Sequence, residues 1–379
     1  MYLNDEHKLI RDSVRDFAER EIKPLARELD EKQEFSVELT KKMGEMGLFG
    51  MLIPQKYNGQ CLDNLSYIIA VEELARIDGS QAATIAAGNS LGMNPIYYFG
   101  TEKQKKKYLP DLCSGKVLWG FGLTEPQAGS DSRATKTTAK IVDDSWIING
   151  SKIFISNASS EITWGSTILV VSGEKKGKKE FSTIIVENGT SGFTAKTMHD
   201  KMMWRASNTA ELYFDDCKVP EENLLGQRGQ GLKIMLSTLD CGRLSIGAMG
   251  LGLAQGAYEM ALKYSKERCQ FGKPICKQQV IAFKLADMAL KIELARNLLY
   301  KACWLRDKNK PFAKEAAMSK LYCSEIAREV ADEAVQIHGG YGLMKDYDVE
   351  RFYRDQRLLQ IGEGTSEIQR LVISRYIGC

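Results

Sequence analysis

Val117-Leu-Trp-Gly-Phe-Gly-Leu123, running into Thr124-Glu-Pro-Gln-Ala-Gly-Ser-Asp131, is where the chain changes its periodicity. Large apolar and aromatic residues between glycines read as a short strand, and Pro126 fixes a turn. Gly129 and Ser130 then present backbone N–H and hydroxyl groups with no bulk before them. Upstream, Leu9, Ile10, Val14, Phe17, Ile22, Leu25 and Leu29 recur at helical spacing with charged residues on the other face. Further helices are predicted from Ser36, over 66–76 and over 82–98, and Thr101 caps the charged run 102–107. Downstream, 135–142, 146–149, 167–172, 181–187 and 210–214 are short runs of strand-forming residues. Turn signals such as Asp143-Asp144-Ser145 and Asn149-Gly150 separate them. Helical spacing returns over 231–268, 280–304, 311–338 and 366–377. This order predicts a multidomain α+β chain: a helical N-terminal domain over 1–117, a central β-barrel or sandwich over 118–225, and a C-terminal four-helix bundle over 226–379. It argues against a doubly wound nucleotide fold, which alternates strand and helix throughout.

The 379 residues exceed what one hydrophobic core usually serves, in keeping with several domains. Hydrophobic residues at 44% and charged residues at 27% describe an ordinary soluble chain. The net charge of +3, from 52 basic and 49 acidic residues, is interspersed and offers no basic stripe for nucleic acid. Nine scattered cysteines without a Cys-x-x-Cys pair, and only three histidines, argue against a metal site, and none is assigned. They read as reduced thiols of a cytoplasmic protein, or of a mitochondrial matrix protein whose transit peptide has been removed. No apolar run is long enough to insert in a membrane, and the charged opening around Asp5 and Glu6 is unlike a signal peptide.

Two glycine clusters invite a nucleotide reading, Gly226-Gln-Arg-Gly-Gln-Gly231 and Gly339-Gly340-Tyr341-Gly342. Neither follows a hydrophobic strand, and the second suits a helix C-cap. Gly247, Gly250, Gly252 and Gly256 lie inside one long helix, where each costs about 1 kcal/mol, and point to close approach of another helix or a cofactor. Arg243 and Arg268, each beside a glycine, are candidate phosphate clamps. Gly362-Glu363-Gly364-Thr365-Ser366-Glu367 sets a carboxylate between glycines directly before a helix start. Closed over a ligand, that carboxylate suits proton abstraction; otherwise it is a turn with a solvated glutamate.

Six motifs in order are similar to those of the acyl-CoA dehydrogenase family, and the resemblance runs over essentially the whole chain. They are Leu123-Thr-Glu-Pro-Gln-Ala-Gly-Ser-Asp131, Gly150-Ser-Lys-Ile-Phe-Ile-Ser-Asn157, Arg205-Ala-Ser-Asn-Thr209, Arg268-Cys-Gln-Phe-Gly272, Gln336-Ile-His-Gly-Gly-Tyr-Gly342 and Ile361-Gly-Glu-Gly-Thr-Ser-Glu-Ile-Gln369. The resemblance implies a homotetramer carrying FAD. Phe121, Leu123, Thr124, Gly129 and Ser130, with Phe154, Ile155 and Ser156, would lie along the flavin, and Thr365 and Glu367 would complete its site. Arg268, Phe271, Gln278, Gln279, Gln336, Gly339 and Gly340 would hold the pyrophosphate and adenosine, partly across a subunit interface. Ser130, Asp240 and Arg243 would meet the CoA portion of an acyl-CoA substrate, Gly362 would border its acyl end, and Gly364, also substrate-binding, would shape with Thr365 the donor end that holds its thioester oxygen.

The resemblance makes Glu363 the base that removes the α-proton of the thioester while the β-hydrogen leaves as hydride to flavin N5. The enolate oxygen would be held by the Glu363 N–H and a ribityl hydroxyl, and burial would raise the glutamate pKa. A minority of the family carries its base just before the arginine that matches Arg243; here that residue is Gly242. Gly362 stands where many members have Tyr, which predicts room for a compact branched or alicyclic acyl group. Gly88-Asn89-Ser90-Leu91 lacks the arginine expected for a dicarboxylic substrate. An electron-transfer flavoprotein is the implied acceptor. The alternatives are an acyl-CoA oxidase or flavin hydroxylase using oxygen, a reductase direction, and a non-catalytic flavin or acyl-CoA binding protein.

Overall fold

The computed structural model describes residues 3–379. Seven α-helices come first: α1 Asp5–Phe17, α2 Lys23–Lys32, α3 Val37–Glu45, α4 Asn64–Ala75, α5 Gly79–Ala86, α6 Asn94–Phe99 and α7 Glu102–Cys113. Asn4, Ser36, Asp63, Asp78 and Thr101 cap five of them, each side chain accepting a backbone N–H of the first turn. Both long stretches expected as single helices carry a π-helical segment instead, Ala18–Ile22 between α1 and α2 and Ala87–Met93 between α5 and α6. Apolar spacing does not register one extra residue per turn. From Leu65 to Ala75 α4 is buried on every side, so it forms the centre of this domain.

The chain then builds β1 Leu118–Gly122, β2 Thr138–Val142, β3 Ser145–Ser156, β4 Thr163–Lys175, β5 Lys178–Glu187, β6 Phe193–Thr197, β7 Thr209–Pro220 and β8 Leu224–Leu225. The order is β6-β7-β3-β2-β4-β5-β8, with β1 pairing parallel to β4. Trp146 and Ile148 of β3, Leu212 and Phe214 of β7, Ile168 and Val170 of β4 and Ile184 and Val186 of β5 share one core. Strands distant in the order therefore face each other, and the sheet curls round a single apolar interior. The edge strand β6 went unpredicted. Its five residues are half-buried or exposed, and it is held by pairing with β7 and by Phe193 stacked on Phe214 at 5.2 Å.

The last part holds α8 Gly231–Glu267, a hairpin of β9 Cys269–Gln270 and β10 Lys273–Pro274, then α9 Gln279–Asp307, α10 Ala313–His338, α11 Val349–Asp355 and α12 Ser366–Tyr376. Helices α8, α9, α10 and α12 pack as the four-helix bundle, with α10 touching the other three. The short α11 has no apolar period to announce it. Arg351 donates to the Ile77 carbonyl at 3.2 Å and Arg354 pairs with Asp30 at 2.7 Å, so distant residues hold it. No helix among the described residues is long and apolar enough to cross a membrane.

The glycines of α8 mark helix contacts. A Cβ on Gly252 would overlap the Glu72 carbonyl oxygen, one on Gly256 the Arg76 carbonyl oxygen, and one on Gly250 would sit 2.8 Å from the Cys323 carbonyl oxygen. α8 thus passes between α4 and α10 at backbone distance. Gly252→Ala is expected to lower unfolding stability by about 1–3 kcal/mol, overpacking outweighing the gain in helix propensity. A fall in the urea midpoint would show this; an unchanged midpoint would contradict the close packing.

Candidate active site

Thr365 caps α12, its hydroxyl accepting the Ile368 N–H at 3.3 Å. Immediately before it, Gly364 has φ 92° and Glu363 has φ 51°. The second value places a non-glycine residue in the left-handed region, a conformation that needs outside support. Support comes from two fully buried side chains. Gln369 Nε2 donates to the Glu363 carbonyl at 3.3 Å and to the Gly364 carbonyl at 2.9 Å, and Lys320 Nζ donates to the Gly364 carbonyl at 2.7 Å.

The turn throws the Glu363 side chain toward α8. Its Oε2 is out of solvent and has no hydrogen-bond partner. Oε2 faces Gly242, where any Cβ would overlap it, so a bare glycine makes the room the carboxylate occupies. Burial pushes the Glu363 carboxyl up to about 7, against the pull of Lys320 and Arg243. Burial likewise brings the Lys320 ammonium down to about 8. Arg243 is buried and ion-paired with Asp240 one turn earlier. The Glu363 N–H makes no hydrogen bond among the described residues and remains an available donor.

A second group lies at the end of β1 and in β3. The Thr124 carbonyl accepts the Ile153 N–H at 3.0 Å, which lays the end of β1 beside β3. Glu125 turns inward and is buried, bound by Lys152 Nζ at 2.8 Å and by the Lys136 and Thr137 N–H groups at 2.7 and 3.0 Å. Glu125 and Ala128 exchange two backbone hydrogen bonds of 3.0 Å, so the loop is tight and Gly129 and Ser130 stand outside it. Phe154 occupies an irregularity of β3 with φ 61° and is 63% exposed, while Ile155 points into the sheet core and Ser156 is half-buried. Phe121 and Leu123 join Leu91, Met235 and Leu239 in a small apolar cluster. Leu239 directly precedes Asp240, so this cluster ties the β1 wall to the Glu363 neighbourhood.

The third group is separate. Arg268, Gly339 and Gly340 line a groove of about 470 Å3 between the ends of α8 and α10, with the Arg268 guanidinium 5.8 Å from the Tyr341 ring. Phe271 is 94% exposed on the β9–β10 turn. Gln336 and Gln279 are exposed, and Gln278 has a buried, unpartnered Nε2. No hydrogen bond or ion pair among the described residues joins this group to the other two. Glu367 is exposed in the first turn of α12, its carboxyl held below the usual range by its own N–H and by Thr365. At Gly362 a Cβ would meet nothing nearer than Leu358 at 3.6 Å.

Sequence reading missed Lys320, Gln369 and the Glu125–Lys152 pair. Lys320 had a signal: it falls on the apolar stripe of α10 with Ala316, Ala317, Cys323 and Ala327, where a lysine has no bland reason to be.

Two helical domains flanking a curled sheet, with an unpartnered acid set against α8 of the last domain, define a three-domain enzyme scaffold. Residues 4–116, 120–217 and 229–378 match the N-terminal, middle and C-terminal domains described for acyl-CoA dehydrogenase. The chain belongs to the acyl-CoA dehydrogenase family and has that family's three-domain fold. It is 50% identical to a probable acyl-CoA dehydrogenase of Bacillus subtilis over 378 residues, 99% of this chain and 98% of the relative. Butyryl-CoA dehydrogenase from Megasphaera elsdenii superposes with a TM-score of 0.96 at 44% identity, covering 100% of this chain and 99% of the other. An acyl-CoA dehydrogenase from Bacillus anthracis complexed with FAD superposes with a TM-score of 0.93 at 36% identity, covering 99% and 68%.

Proposed function

We propose that the protein is a FAD-dependent dehydrogenase of short acyl-CoA thioesters in which Glu363 takes the α-proton. The observation that carries this is the buried, unpartnered Glu363 Oε2 opposite Gly242. A carboxylate near pH 7 in its titration, beside two cations and a free backbone N–H, suits removal of a weakly acidic carbon proton. The Glu363 N–H is the donor for the thioester oxygen as negative charge develops there.

FAD fits the remaining walls. Gly129, Gly339 and Gly340 have no atom within 4 Å of a Cβ position, so their backbones are open to a ligand, and the Gln278 amide waits unpartnered. Bound FAD supplies the acceptor for the β-hydrogen. Thr124, Phe154, Ser156 and Thr365 then border the ring, and Arg268 the phosphates. Asp240 and Arg243 on α8, with Ser130 on the loop, meet the CoA portion. Gly362 carries no side chain and a Cβ there would touch only Leu358, which supports a branched or alicyclic acyl group over a long straight one. An exposed apolar stripe on α9, Val280, Phe283, Leu290 and Leu294, supports assembly as a homotetramer. An electron-transfer flavoprotein is the acceptor that accords with the family.

Anaerobic titration of the purified holoenzyme with a panel of acyl-CoAs tests this. Loss of flavin absorbance with short branched or cyclic thioesters is expected, at a rate that rises as pH passes about 7. No bleaching by any thioester would sink the activity. Equal rates with long straight chains would sink the substrate shape alone.

A further inference from the structure

Lys320 is fully buried on α10 and makes one side-chain hydrogen bond, to the Gly364 carbonyl at 2.7 Å. No carboxylate lies within ion-pair distance of it among the described residues. A buried ammonium without a contact acid is costly, and an apolar side chain of the same length would pack there without that cost. Its own helix is anchored beside the loop: Ser324 Oγ donates to the Lys320 carbonyl at 2.6 Å and to the Leu359 carbonyl at 3.0 Å, just ahead of Gly362. The charge on Lys320 acts first on Glu363, then on Arg243 and Glu367.

We propose that Lys320 is a positioning residue for the base, holding the Gly364 carbonyl so that Glu363 keeps its left-handed turn and favouring the ionised, proton-accepting carboxylate. This rests on Glu363 being the base. The other groups around the carboxylate do not replace it. Arg243 on α8 also favours the ionised form, but it is shared with Asp240. Cys241 on α8 and Tyr67 on α4 are near enough to feel the Glu363 charge and are themselves pushed up by burial, so both stay neutral. Arg306 on α9 acts on those two groups, and Glu367 on α12 is solvent-exposed. Lys320 is the cation bonded to the loop itself.

The test compares the holoenzyme with Lys320→Met, Lys320→Gln and Lys320→Arg. Two readouts are followed against pH: the anaerobic bleaching rate with butyryl-CoA, and the infrared carbonyl band of the protonated Glu363 carboxyl, identified by its loss in Glu363→Gln. In the Met and Gln variants both midpoints are expected to rise by about one pH unit, giving about tenfold slower bleaching at pH 6. Lys320→Arg, which keeps the charge, is expected to restore the midpoint even if its maximal rate is reduced. Neutral variants that fold with the parental midpoint would overturn the proposal. If neither neutral variant folds, the Arg variant decides alone: a midpoint that rises by about one pH unit although the charge is kept would overturn the proposal. If the parent bleaches with no thioester, the dehydrogenase reading fails, and the infrared midpoint still decides what Lys320 does to Glu363.

Discussion

Glu363→Gln is expected to bind FAD as the parent does and to lose flavin bleaching by acyl-CoA by a factor of about 10²–10⁴, the usual worth of a positioned general base. The amide has the carboxyl's shape and fits the space left by Gly242, so the loop has no steric reason to move. It cannot accept the α-proton. The same variant is expected to be more stable than the parent at alkaline pH. Burial raises the Glu363 carboxyl from 4.5 to about 7, so the folded state holds the proton more tightly than the unfolded chain does. Stability contributed by this group is therefore present below about 4.5, is lost as pH climbs to about 7, and stays lost above. With the residue itself only partly shielded, the deficit is on the order of 1–3 kcal/mol. Urea unfolding at pH 8 should favour the Gln variant by that amount, and at pH 4 the difference should vanish. Parental turnover in Glu363→Gln would remove it as the base. Equal stability at both pH values would show that the carboxyl is better solvated than its surroundings imply.

Lys152→Met is expected to have the largest structural effect, a loss of about 3–5 kcal/mol together with weakened FAD retention. Lys152 and Glu125 are 0% and 2% exposed in their side chains and 2.8 Å apart. Burial alone would raise the Glu125 carboxyl, yet Lys152, Thr137 and Lys136 hold it below its usual range, so it is a charged group inside the fold. Taking away the ammonium leaves that charge with the Lys136 and Thr137 N–H groups and the Gln127 amide, and with no cation. Glu125 also organises the turn that carries Gly129 and Ser130, so its relaxation would reach the proposed flavin wall. A double variant, Lys152→Met with Glu125→Leu, should recover part of the stability, because no unpaired charge remains. Denaturant midpoints of the two variants and their FAD content per chain measure both effects. A single variant as stable as the parent would show that the pair carries no such energy.

Much of this was legible in the chain as letters. Helical spacing before Lys116, short β-branched runs to Pro220 and long apolar periods after Gly231 announce three regions, because burial of one face imposes those periods on any helix or strand. The Thr101 cap was readable for the same local reason: a hydroxyl satisfies the free N–H groups of the turn beside it. Elements without a local cause escaped. The π-helical segments Ala18–Ile22 and Ala87–Met93 leave no mark in apolar spacing, the edge strand β6 is held by pairing with β7, and the short α11 depends on Ile77 and Asp30, far along the chain.

The same division runs through the site. Gly362, Glu363, Gly364 and Thr365 adjoin in sequence, so a glycine-flanked carboxylate before a helix could be picked out, and Gly242 could be excluded as a base because it has no side chain. That Gly242 is also the space into which Glu363 points, that Lys320 and Gln369 grip the turn, and that burial carries the carboxyl to about 7 are matters of folding. Those facts depend on desolvation and on contacts between α8, α10 and the loop before α12. Such distances are set when the helices pack, and residue order does not encode them locally.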